Sequence, residues 1–313
     1  MKKLLAILLL LAIVVTFASY ILIPNSKLAI ETTSISTNYN AVFRALSEPE
    51  TLSRLIKSKT AAISPGISAF EYNDVNMRFQ ERMNATIEVS MEKEGKIAKS
   101  VIMVTPKGDE STLVEWRMRL SQSYNPFKRI QQYIQTKAIK TDMADFLKKL
   151  ETFAVHNENI YGFDIERARL TDSLLITTKS VSTTIPSTET YYSMIKQLQA
   201  YAKNQNALVT NYPMLNITTI NRTQYETTVA LPINKVVPDK DAIVFKRMVP
   251  GKILIAETKG GLLTVNKGFS QISNYISDRG LVTPAIPFQS LITDRMVNKD
   301  SSQWITKLYY PIL

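Results

Sequence analysis

Tyr225-Glu-Thr-Thr-Val-Ala-Leu-Pro-Ile233 and Trp304-Ile-Thr-Lys-Leu-Tyr-Tyr-Pro-Ile-Leu313 are two versions of one pattern. In each, an aromatic residue opens a strand, a Thr follows two positions later (Thr227, Thr306) and a Pro-Ile pair closes it. Ahead of each lies a helical stretch with an apolar residue three positions before a Tyr, Leu198 to Tyr201 and Ile272 to Tyr275. These are followed by Ala207-Leu208 and Gly280-Leu281. A repeated order of elements marks an internal duplication, which decides architecture ahead of any local assignment. The first unit reads as strand (Asp164 to Thr184), helix (Thr188 to Asn204) and two strands (Met214 to Ile220, Tyr225 to Ile233). The second reads as strand (Ala242 to Thr258), helix (Leu262 to Arg279) and strands (Phe288 to Asp294, Trp304 to Pro311), with Lys259-Gly260-Gly261 as start loop and Gly280 as helix stop.

Composition removes several function classes. The 313 residues suffice for about two domains, and 45% hydrophobic content is that of a globular chain. There is no Cys and one His, His156, so thiolate metal sites, His clusters and Ser-His or Cys-His triads are excluded. The net charge of +11 is spread over scattered Lys and Arg with no run longer than two, so nucleic acid is not an expected partner. No nucleophile elbow, phosphate loop or dinucleotide fingerprint is present, and no cofactor is expected.

At the N-terminus, Lys2 and Lys3 precede Leu4 to Ile23, a charge-free run. About 20 apolar residues cross a bilayer as one helix. An uncleaved anchor within residues 1–25 is expected, and the lysines ahead of it place the bulk of the chain outside the cytoplasm. The alternative is a signal peptide cleaved after the imperfect Thr16-Phe17-Ala18 site, which would leave a secreted protein.

Beyond Ser26 the chain reads as a strand (Lys27 to Ser36), a helix with Ala41, Val42, Ala45 and Leu46 on one face, and a short turn after Pro49. Strands follow at Ile67 to Tyr72, Met77 to Glu92, Ile97 to Pro106 and Thr112 to Ser121, an antiparallel series. In the last, Val114, Trp116, Met118 and Leu120 alternate with Glu115, Arg117 and Arg119, the signature of a half-buried strand. Pro126 opens a helix to about Ala154 with one apolar stripe: Phe127, Ile130, Ile134, Met143, Phe146, Leu147, Leu150 and Phe153.

Ser34-Ile-Ser-Thr-Asn-Tyr-Asn-Ala-Val-Phe43, the Ser47-Glu-Pro49 break and Asn125-Pro-Phe-Lys-Arg-Ile130, in this order of elements, resemble the START-like or polyketide-cyclase-like (SRPBCC) superfamily. The resemblance implies a helix-grip fold over residues 26–157 with an apolar cavity, toward which Trp116 and Met118 would point. Residues 158–313 resemble the gyrase-inhibitor-like family, also the effector-binding domain of AraC-type and MerR-type regulators. The carrying residues are the Pro-Ile endings, Met248-Val-Pro-Gly-Lys252, Gly260-Gly261 and Tyr275-Ile-x3-Gly280-Leu281. That resemblance implies a sheet cleft for small amphipathic or cationic molecules. Where the family carries an acidic residue after the Thr of the last strand, this chain has Lys307. The expected fold class is therefore α+β: a START-like domain, then a duplicated βαββ domain (repeats about 164–235 and 241–313), preceded by one transmembrane helix.

Strand alternation sharpens the cleft reading, because every second side chain shares a face. Ile305, Lys307 and Tyr309 form one set, and repeat equivalence makes Glu226, Thr228 and Ala230 its counterpart. If both sets face the cleft, Glu226 would pair with Lys307, and Tyr309 would stack on a planar ligand. Trp304 and Tyr310 fall on the opposite, core-forming face, and Glu257 is a further acidic candidate. The functional expectation is a membrane-anchored, non-catalytic protein that binds a small amphipathic or hydrophobic molecule. The alternatives are a hydrolase working through Glu226 and Tyr309, and a structural or interaction module of the bacterial envelope.

Overall fold

A computed structural model describes residues 10, 13–18, 20–23, 28–57, 61–64, 67–72, 75–82, 86–93, 96–119, 123, 125–170, 173–221 and 223–313. The span Leu4 to Ile23 falls largely outside them; residues 13–18 and 20–22 are helical. Among the described residues no helix is long and apolar enough to cross a membrane. The chain divides into two units, residues 1–160 and 161–313.

The first unit opens with β1 (Leu28–Ile35) and the helices α1 (Tyr39–Ser47) and α2 (Pro49–Ile56). The Asn38 side chain caps α1 by accepting from the Asn40 N–H, and Pro49 occupies the first turn of α2, where its missing N–H costs nothing. Strands β2 (Ala61–Ser64), β3 (Ile67–Tyr72), β4 (Val75–Arg82), β5 (Thr86–Lys93), β6 (Lys96–Gly108) and β7 (Ser111–Arg119) follow, then the long helix α3 (Pro126–Ala154). Among the described residues seven strands form one antiparallel sheet, order β1-β7-β6-β5-β4-β3-β2, so the first strand closes against the last. Val114, Trp116 and Met118 are buried, as alternation requires. The C-terminal part of α3 lies on the sheet through Met143, Phe146, Leu147 and Leu150, each burial worth roughly 1.5–3 kcal/mol. Phe146 stacks on Phe79 (5.9 Å) and meets Tyr72 and Trp116 edge-on.

Two expectations are corrected here. The run Met77 to Glu92 is two antiparallel strands, with Phe79 opposite Val89. The apolar stripe of α3 is two stripes: at about 100° per residue, Phe127, Ile130 and Ile134 lie on the opposite side of the helix from Met143, Phe146, Leu147 and Leu150.

A short helix α4 (Asn157–Tyr161) leads into the second unit, which contains β8 (Glu166–Leu170), β9 (Ser173–Ser182), α5 (Thr188–Asn204), β10 (Met214–Asn221), β11 (Gln224–Ile233), β12 (Val244–Met248), β13 (Gly251–Lys259), α6 (Leu262–Asp278), β14 (Phe288–Leu291) and β15 (Ile305–Ile312). Eight of its strands order as β12-β9-β11-β10-β14-β15-β13-β8. This is the duplication made visible: β9-β11-β10 mirrors β13-β15-β14 about the β10/β14 junction, where Met214 pairs with Ser290. The strands expected at Asp164 to Thr184 and Ala242 to Thr258 are each divided. Their first parts are exchanged, β8 pairing with β13 of the second repeat and β12 with β9 of the first. Pro250 marks the second division, since it has no N–H to give a ladder.

Both helices cover one face. Tyr191, Ile195, Leu198 and Tyr201 of α5 pack with Ile176, Leu215, Val229 and Leu231. Gly268 lets α6 approach Leu308 and Thr258, since a Cβ there would overlap Leu308 and lie 3.0 Å from Thr258 Cγ2. Gly280, at φ +59°, ends α6 in the left-handed conformation that glycine adopts most easily.

Candidate functional site

Register assigns the other face of this sheet. Residues directly opposite in antiparallel strands project to the same side. Thr228 faces Lys179 and Asn216, Tyr309 faces Phe288 and Ile255, and Lys307 faces Ser290 and Glu257. Glu226, Thr228, Ile305, Lys307 and Tyr309 therefore all lie on the face turned away from α5 and α6. On it, Tyr309 is stacked flat on Phe288, with ring centroids 4.9 Å apart and 7° between planes. Burial pushes the Tyr309 phenol above the ordinary tyrosine value, which keeps it neutral and able to donate a hydrogen bond. The Thr228 hydroxyl oxygen is buried with no hydrogen-bond partner. Next to these lie Ala230 and Ser290, small residues that are themselves buried.

Charge on this face is arranged in two local pairs. Lys179 Nζ donates to Glu226 Oε1 at 2.7 Å, and Lys307 Nζ lies 4.0 Å from Glu257 Oε2. The expected Glu226–Lys307 pair does not form. β11 and β15 are separated by β10 and β14, three inter-strand steps of about 4.8 Å, or roughly 14 Å. The same separation keeps Glu226 from acting with Tyr309 as an acid–base pair, which needs hydrogen-bond reach. Tyr309 does stack, but its partner is Phe288. Sequence reasoning passed over Phe288 and Lys179. Both become legible once β14 is set against β15 and β9 against β11, because their partners there were already candidates.

Trp116 and Met118 lie in the first unit and are fully buried in its core. Trp116 Nε1 donates to Ser100 Oγ at 2.9 Å, and its ring meets Phe146 at 5.3 Å. These contacts commit Trp116 to core formation.

A second polar cluster sits on the helix-covered face. Arg295, 6% exposed, reaches from the long β14–β15 connection to Tyr191 Oη (3.1 Å), Thr306 Oγ1 (2.8 Å) and Gln289 Oε1 (3.4 Å), and lies 4.8 Å from the Trp304 ring centre. These hydrogen-bond partners are neutral and Nε is buried without one, so cation–π contact and the neutral acceptors offset part of the desolvation of this guanidinium. Trp304 thus contributes to the core on the face expected of it. Among the described residues no group of acidic or His side chains is placed to hold a metal ion.

No protein-family profile and no curated protein matches this chain. Among solved structures it is similar to the C-terminal domain of EcmrR (13% identity, 48% of this chain and 98% of that one, TM-score 0.42). It is similar to EcmrR in a complex with DNA (15% identity, 61% of this chain and 72% of that one, TM-score 0.44). A hydrolase from Listeria innocua is a third (11% identity, 48% of this chain and 91% of that one, TM-score 0.39).

Proposed function

We propose that the second unit is a binding module for a small, planar, amphipathic molecule, held on the sheet face turned away from α5 and α6. The observation that carries this reading is the Phe288–Tyr309 stack on the same face as the buried, unpartnered Thr228 hydroxyl, two strands from Phe288. A flat aromatic pair offers a stacking surface, and a buried hydroxyl without an acceptor costs about 1–3 kcal/mol until a ligand oxygen or nitrogen supplies one. Lys179 and Lys307 put ammonium groups within the same face. Each is paired with a carboxylate, Glu226 or Glu257, so the face is balanced in charge and suits a ligand whose polar head carries either sign. The START-like architecture and a tether through Leu4 to Ile23 belong to the same proposal, which makes this an envelope-located carrier or sensor. A binding role is preferred to the hydrolase alternative because Glu226 and Tyr309, the pair that alternative relies on, stand three strands apart.

Native mass spectrometry of the gently purified chain, followed by denaturing analysis for released small molecules, tests this. A stoichiometric aromatic amphiphile is expected, lost on Tyr309→Ala and kept on Trp116→Phe. A chain that carries nothing, and whose melting temperature does not respond to a panel of planar amphiphiles, refutes it.

A further inference from the structure

Helix α3 is amphipathic twice over. From Met143 onward its apolar side chains are buried on the sheet, and its outward side carries Asp145, Lys148 and Thr152. Between Pro126 and Asp142 no side chain is buried. There the same outward side, followed at about 100° per residue, carries Phe127, Ile130, Ile134 and Ala138 instead. Phe127 is 70% and Ile134 63% exposed. Spacing of i, i+3, i+7 and i+11 is that of a helix built to bury this stripe against something, and the sheet lies on the other side.

Charge and neighbourhood say what covers it. Residues 126–142 contain Lys128, Arg129, Lys137 and Lys140 against Asp142, and Lys140 is paired with Glu31 at 3.2 Å, so four basic groups minus two acidic leave a local charge of +2. Arg129 donates to the Ile23 carbonyl at 2.9 Å and lies 5.0 Å from the Tyr20 ring centre, so this end of α3 is fastened to the helical residues 13–22. Those residues present Ile13, Val14, Phe17, Ile21 and Leu22, each more than half exposed. An acidic protein groove would match the lysines but would leave this second apolar segment uncovered. A bilayer with anionic headgroups accommodates both.

The geometry points to residues 126–142 of α3 as a membrane-surface helix that lays Phe127, Ile130 and Ile134 into the headgroup–acyl boundary of an anionic bilayer. This deepens the proposed tethering, because it turns a chain held by one segment into one docked by two and fixes the orientation of the first unit.

The test uses the full chain in vesicles of equimolar phosphatidylcholine and phosphatidylglycerol with brominated acyl chains. Phe127→Trp and Lys148→Trp are compared with wild type, both positions being exposed and tolerant of the change. Quenching of the added fluorescence several-fold stronger at 127 than at 148, and weakened when phosphatidylglycerol is left out, is expected. Equal quenching at the two positions in a vesicle-bound chain overturns the surface helix and leaves the tether standing. A cross-link between chains through position 127 in place of quenching assigns the stripe to a second copy. A chain that never associates with vesicles removes tether and surface helix together.

Discussion

Arg295 shows how one residue can be structural and still look functional. Its charge is buried against neutral acceptors and an indole ring. Removing one member of a buried ion pair strands the other charge, but here a long apolar replacement strands none. Arg295→Met is expected to cost about 1–3 kcal/mol, because it leaves the buried Thr306 and Gln289 oxygens without their donor, and Arg295→Ala about 1–2 kcal/mol more, the difference being the cavity. Thermal denaturation of both variants checks this, and equal losses would show that the charge itself is what the site needs. Tyr161 gives a pH handle. Burial, reinforced by the Asp278 carboxylate that accepts its proton at 2.8 Å, pushes its phenol well above the ordinary value. Above about pH 10 the unfolded chain releases this proton and the folded chain keeps it. Stability therefore falls as pH rises, by up to about 1.4 kcal/mol per pH unit for this group. Melting curves taken across the alkaline range should show a shallower decline for Tyr161→Phe than for wild type, and an unchanged slope would remove Tyr161 as a cause.

Among the elements, helices were the most legible, because their caps and stops are local: Asn125, Ser187 and Gly280 all sit where the sequence suggested a boundary. Strand divisions were less so. Met77 and Phe79 are opposite Met91 and Val89, all odd-numbered, so apolar alternation runs through the β4–β5 reversal without a change of phase. The division of β8 from β9 and of β12 from β13 is set by which partner each segment finds across the repeat, information no window of sequence contains. That exchange has a consequence for folding. Each repeat lends its leading strand to the other, so neither buries its edge alone. Residues 161–240 and 241–313, expressed separately, should give the circular dichroism of largely unfolded chains and regain strand signal when mixed. A stable, cooperatively melting single repeat would contradict the exchange.

At the scale of the whole molecule, the two-unit division and the duplication were readable because length, repeat spacing and element order are properties of the chain itself. The candidate face was readable in part. A period of two says which side chains share a face, and Glu226, Thr228, Lys307 and Tyr309 do share one. It says nothing about lateral distance. Equivalent residues of a duplicated sheet lie on opposite sides of its pseudo-symmetry axis, which is why Thr228 and Lys307, matched in the repeat, are strands apart and why the Glu226–Lys307 pair was illusory. The stripe of α3 was misread for a related reason: correct helical spacing within each half was joined across a step of nine positions, Ile134 to Met143, that shifts the phase to the far side.

The central claim, that the face bearing Phe288, Tyr309 and Thr228 is kept for a ligand, is tested most directly by Thr228→Val. Valine replaces an unsatisfied hydroxyl with a methyl of the same shape, so stability should hold or rise while the ligand loses its hydrogen-bond partner. Paired melting curves and equilibrium titrations with anilinonaphthalene sulfonate, a planar amphipathic anion, should show an unchanged or higher melting temperature together with affinity weakened about ten-fold, or roughly 1.4 kcal/mol. A lower melting temperature with affinity intact would mean that the hydroxyl serves the fold and that this face is not the binding site.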